Sequence, residues 1–181
     1  MIRSQHAPTF LICTALLLVV GCGDTQSNAD TTPVCAPSCQ NANLKGQDLT
    51  RAKLGGANLT GANLAGANMD GADLASANLA GADLQGARLH GSNLTDANLT
   101  GATIDGAELE RANVTDAELT DAKLGSADLR EADFTFADLT GATLDHADLS
   151  GADLTGATMS EESLSAALLT GTVMPDGTIH E

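Results

Sequence analysis

From Leu44 to Met159 every fifth residue is apolar, which makes 24 consecutive pentads without a slip of register. In residues 61–84, "GANLAGANMDGADLASANLAGADL", the residue two before each centre is Ala and the one just before it is Asn or Asp. Neither common backbone can use a period of five. A helix turns about 100° per residue, so successive centres would lie about 140° apart around its axis and leave no dry face. In a flat strand an odd period sends successive centres to opposite faces, and half of them would meet water. The pattern works if the chain turns a corner once per pentad, always in one sense, with the centre (position i) and the Ala at i−2 pointing inward. Four corners close a coil of 20 residues. Stacked coils would then carry a core of columns, represented by Leu44, Leu64, Leu84, Ile104, Leu119, Phe134 and Leu154. The chain has no Trp, no Tyr and three Phe, so that core must be narrow and layered.

Tandem "A-D/N-L-x-x" over residues 42–159 resembles the pentapeptide-repeat family; at i−2 only Gln47 and Ser92 depart from Ala. The resemblance implies an all-β fold, a right-handed quadrilateral β-helix. At strand spacing of about 4.8 Å, six coils would make a rod about 29 Å long. Glycines at i+2, such as Gly61, Gly66 and Gly71, suit tight turns. The two ends of such a rod are open edges and need caps. Residues 160–181 are expected to supply one. "SEESLSAALL" (160–169) reads as a short capping helix with Ser160 as N-cap and Leu164 and Leu168 on one face, ended by Gly171.

The N-terminal region reads as an address. Residues 1–21 have a basic start at Arg3, an apolar run "FLICTALLLVV" (10–20) too short to span a bilayer comfortably, and then "VVGC" (19–22). That ending resembles the bacterial lipobox, which implies cleavage before Cys22 and lipidation of Cys22. Multiple acyl chains would hold the chain stably on a membrane. The expected location is the cell envelope after export, at the outer membrane in a Gram-negative host. Residues 22–34 then comprise the lipidated Cys and a polar tether. Residues 35–41 form an N-terminal cap, in which "CAPSC" offers a Cys35–Cys39 disulfide staple in an exported context. A redox pair or half of a metal site is the sharper alternative, but the four His are far apart in sequence.

No catalytic constellation emerges. The carboxylates recur because the repeat recurs, no Gly-rich phosphate loop joins a strand to a helix, and His90 and His146 fall on different faces. The expectation is a non-enzyme without cofactor or resident metal. Columns of Thr at 20-residue steps (Thr95, Thr115, Thr135, Thr155) invite an ice-binding reading, and structural Thr at turns is the plainer account. Charge varies more than anything else along the rod. Residues 42–104 hold five acids and four bases, whereas residues 105–162 hold fifteen acids against Arg111, Lys123 and Arg130, a net of −12. That is about one charge per 1.2 Å of rod, as dense as duplex DNA at about 1.7 Å. Some members of the family it resembles, the gyrase protectors of quinolone resistance, act as DNA mimics. An exported address argues against that role. The favoured reading is therefore a membrane-anchored interaction or structural scaffold whose acidic distal surface meets a basic protein partner and not nucleic acid. The alternatives are a polyanionic DNA mimic or a divalent-cation-binding surface. Asp128 with Asp148, and Asp133 with Asp153, lie one coil apart in shared columns and are the candidate binding acids.

Overall fold

The computed structural model describes residues 38–181. Its backbone is a coil of 20-residue turns. Parallel bridges join residues 20 apart without a break from Ser38↔Asn58 to Asp138↔Thr158, and again at Asp148↔Leu168 and Asp153↔Val173. The bridging residue is always the one before the apolar centre. Each side is so short that it registers as a single bridge between two turns and not as an extended strand.

Why a five-residue period folds this way becomes plain when each backbone N–H is followed to its acceptor, as buried chain requires. In the pentad 77–81, Ala77 donates to the Leu74 carbonyl at 2.9 Å and closes a β-turn. Asn78 donates back to Ala57 at 2.9 Å, and Leu79 and Gly81 donate forward to Asn98 and Thr100 at 2.7 and 2.9 Å. The fifth donor, Ala80 at i+1, has no backbone acceptor and donates to the Asn78 side-chain Oδ1 at 3.0 Å. Asn or Asp at i−1 therefore caps the turn wherever it stands, because a short side-chain carbonyl or carboxylate reaches the N–H two residues on. In the turn itself only the second central residue has positive φ, the signature of type II. Gly fills that place at Gly61 and Gly66, whereas Arg111, Asp116, Asp121, Ser126, Glu131 and Phe136 occupy it in succession without one glycine.

The interior is a column of Leu and Ala. Every expected core centre is buried: Leu44, Leu64, Leu84, Ile104, Leu119, Phe134 and Leu154 are at most 4% exposed. Ser92, which stands in an Ala slot, is equally buried, and its hydroxyl has no hydrogen-bond partner.

Both ends differ from expectation. The coil starts one pentad before residue 42: Ser38 bridges Asn58, Cys39 is buried in the core column, and Asn41 takes the positive φ of the turn. Part of the expected 35–41 cap is thus repeat. Cys35, Cys22 and residues 1–34 lie outside the described residues, and so does the Cys35–Cys39 pairing. At the other end the ten-residue capping helix is replaced by a single 3₁₀ turn, Glu161–Leu164. Ser160 offers its carbonyl to Ser163 there, at 3.2 Å from the N–H and 2.6 Å from the hydroxyl. A short isolated helix is marginal, and the open edge of the last coil outbids it. Leu168 donates to Ala147 at 2.9 Å and accepts from Leu149 at 2.8 Å, bonds that a helix through 168 would forfeit. Leu164, Leu169 and Met174 keep the five-residue step and pack on the core. The cap is instead a β-hairpin: Val173 pairs antiparallel with Ile179, and Gly171 donates to His180 at 2.7 Å. Among the described residues no helix is long and apolar enough to cross a membrane.

Candidate functional site

Function on a solid rod must sit on its outward positions, i−1, i+1 and i+2. Four columns of i−1 residues define four sides. One of them runs Asp48, Asn68, Arg88, Glu108, Asp128, Asp148. This side and the turn that follows it hold all eight ion pairs among the described residues. Arg88 meets Asp70 at 2.7 Å and Glu108 at 3.7 Å, and His90 Nε2 lies 2.8 Å from Glu108. Lower down, Arg111 bridges Glu110 at 3.4 Å and Glu131 at 2.8 Å. Arg130 forks onto Asp128, with Nε to Oδ1 at 2.7 Å and Nη2 to Oδ2 at 2.6 Å, and also reaches Glu110 at 3.3 Å. Most partners are 18 or 20 residues apart and meet only because the coil returns.

The electrostatics follow the contacts. The hydrogen bond from Arg130 holds the Asp128 carboxyl below its ordinary range, and Arg111 does the same to Glu131. Both guanidiniums are raised in return. These groups are largely solvent-exposed, so each pair adds little to stability. What the corner has is a fixed alternation of charge with no nucleophile placed against a base. The shallow depression bounded by His90, Gly91, Glu110 and Arg111 is open to solvent.

The four candidate acids are brought together as expected, by the bridges Asp128↔Asp148 and Asp133↔Asp153. Their carboxylates, however, are already engaged and do not form a bare ladder of like charge. Asp128 is neutralised by Arg130. Asp133 accepts from Thr135 N–H at 2.9 Å and its hydroxyl at 2.5 Å. Asp148 accepts likewise from Ser150 at 3.0 and 2.6 Å, and Asp153 from Thr155 at 2.8 and 2.5 Å. The Thr95, Thr135 and Thr155 hydroxyls are thus turned onto their own Asx caps, which disfavours an ice-binding array. No group of three or more His, Cys, Asp or Glu among the described residues could hold a metal ion.

Two acids have a role that pentad reading does not find. Where Arg88 and Lys123 replace Asn or Asp at i−1, the orphaned N–H at i+1 is met from the coil above. His90 donates to Asp70 Oδ1 at 3.2 Å, and Gly125 to Asp105 Oδ1 at 2.8 Å. The signal was present at a spacing of 20, one coil, and absent at a spacing of five.

Comparison with known proteins agrees with this geometry. The family model for pentapeptide repeats matches in eight copies, over residues 38–75, 77–116, 117–156 and 147–176. Similar solved structures include a pentapeptide repeat protein from the cyanobacterium Cyanothece 51142, 32% identical with a TM-score of 0.43. That match covers 55% of this chain and 64% of the other, less than two thirds of its length. HetL, a pentapeptide repeat protein involved in heterocyst differentiation regulation in Nostoc sp. strain PCC 7120, is 29% identical over 80% of this chain and 87% of its own, with a TM-score of 0.34. QnrB1, a plasmid-mediated fluoroquinolone resistance protein, is 21% identical over 83% and 80%, with a TM-score of 0.42. No curated protein matches. Proteins of this family form right-handed quadrilateral β-helices, in keeping with the 20-residue coil. With the family model covering well over half of its residues, this chain belongs to the pentapeptide-repeat family.

Proposed function

We propose that the protein is a non-enzymatic scaffold, anchored at the cell envelope by lipid on Cys22 and presenting its acidic distal half to a basic protein partner. The observation that carries this reading is the distribution of charge. Beyond Ile104 the rod is net −12 through residue 162, and of its three bases Arg111 and Arg130 are tied into ion pairs at one corner. A solid rod of self-satisfied backbone offers surface and no enclosed cleft, which suits recognition better than chemistry. The polar tether of residues 23–34 spans roughly 40 Å when extended, enough to hold the rod clear of a membrane. The lipobox resemblance supports the address. Among the described residues no group of three or more His, Cys, Asp or Glu is placed to hold a divalent cation.

The test is fractionation of cells expressing the full chain or a Cys22→Ala variant, with metabolic lipid labelling. Labelled wild-type protein in the membrane fraction and unlabelled Cys22→Ala protein are the expected result. Unlabelled wild-type protein in the cytosol overturns the anchored reading. Protection of gyrase by that cytosolic protein would then favour the DNA-mimic alternative.

A further inference from the structure

Phe136 breaks two rules at once. It occupies the second central position of its turn at φ 60°, a region that bulky L-residues avoid, and it leaves 62% of its surface in water. Elsewhere in the same column stand Asp96, Asp116 and Gly156, residues suited to positive φ. The ring is not loose. Its Cδ1–Cε1 edge leans over Gly156 one coil on, where a Cβ would come within 2.5 Å of both atoms. Glycine beneath and aromatic above fit each other, and the rest of the ring faces outward.

The surroundings say what it would face. The two sides that meet at this corner comprise residues 112–119, 132–139 and 152–159. They carry Asp116, Glu118, Asp133, Asp138 and Asp153 and no Lys, Arg or His. Asp116 stacks directly above Phe136: Asp116 donates to Thr135 at 3.0 Å, and Phe136 to Thr155 at 2.9 Å. Arg111 and Arg130 are committed to ion pairs on the neighbouring side. An aromatic face is itself negative at its centre, so a held ring in an anionic field complements a cation and repels an anion. We infer that Phe136 and its flanking carboxylates are the docking point for a Lys- or Arg-bearing segment of a basic protein, with the cation over the ring. This rests on the scaffold reading above and names the place where that scaffold is read.

The experiment measures binding of a fluorescent oligo-arginine peptide to the full chain in detergent at about 0.1 M salt, by anisotropy. Phe136→Leu keeps the apolar bulk and the backbone demand but removes the π face. It should weaken binding about two- to fivefold, the range of an exposed cation–π contact, with an unchanged melting temperature. Phe136→Tyr should bind like wild type. Paired Asp116→Asn and Asp133→Asn should weaken binding and flatten its salt dependence. If Phe136→Leu binds like wild type while the Asn variant weakens, the rod is only a polyanion and the Phe136 site is overturned, with the scaffold reading intact. If wild type binds the peptide no better than an uncharged oligo-serine control, both fail.

Discussion

Ser92 is a defect in an otherwise uniform wall, and its removal is worth working through. It stands at an i−2 position that is Ala in every pentad from Ala52 to Ala157 but this one, and it is 1% exposed. Its backbone is satisfied: the N–H donates to Leu89 at 3.1 Å and the carbonyl accepts from Asn113 at 2.9 Å. Only the hydroxyl is left without a partner. A buried, unpaired hydroxyl costs about 1–3 kcal/mol, whereas replacing it by hydrogen opens a space of one small atom. Ser92→Ala should therefore stabilise the rod by about 1–2 kcal/mol. For a domain of this size, 1 kcal/mol moves the melting temperature by about 2–4 °C, so a rise of about 2–8 °C is expected. Calorimetry on the two proteins measures it. Because repeat arrays can open locally, hydrogen exchange of the surrounding amides should slow in parallel. The reverse change in the next pentad, Ala97→Ser, puts a hydroxyl into an equivalent slot that is 0% exposed and should cost a similar amount. If Ser92→Ala melts at or below wild type and Ala97→Ser is neutral, the interior tolerates hydroxyls and the argument from an unpaired donor is wrong.

Leu119→Asp places a charge in a dry core site that is 1% exposed and should cost more than about 3 kcal/mol, against less than about 1 for Thr115→Asp on the surface; equal melting temperatures would reverse inside and outside. Gly156→Ala should destabilise clearly in the wild type, where a Cβ strikes the Phe136 ring, and less in a Phe136→Ala background, a coupling that a double-mutant cycle reads directly. Asp128, held low by Arg130, and Asp138, held low by hydrogen bonds from Thr140, have depressed folded-state pKa values. Their stabilisation is present above the unfolded value of about 4 and is lost as pH falls through the folded one; the melting temperature should drop below about pH 4, and Arg130→Met should flatten the share owed to Asp128. Calcium and sodium chloride at matched ionic strength should shift the melting temperature alike, since the Asp128 and Asp148 carboxylates already have partners; a calcium-specific rise, removed by Asp128→Asn with Asp148→Asn, would contradict this.

Much of the fold was written locally. A period of five that no helix or flat strand can use compels one corner per pentad, and with it the columns from Leu44 to Leu154, the Ala lining and the imbalance of charge between the two halves. Each is a property of five consecutive residues or of their count, so neighbours along the chain suffice to read it. The tertiary structure decided whatever depends on closure of the coil, because residues 18 or 20 apart become neighbours only when four corners bring the chain back. Thus Asp105 caps Gly125, Glu131 takes Arg111, and Arg111 and Arg130 gather at one corner while Phe136 is left among carboxylates at another. The C-terminal end shows the same division: "SEESLSAALL" considered alone favours a helix, but the unpaired edge of the last coil offers Leu168 and Val173 backbone partners at strand spacing. With those bonds in reach, only one 3₁₀ turn survives and a hairpin closes the rod.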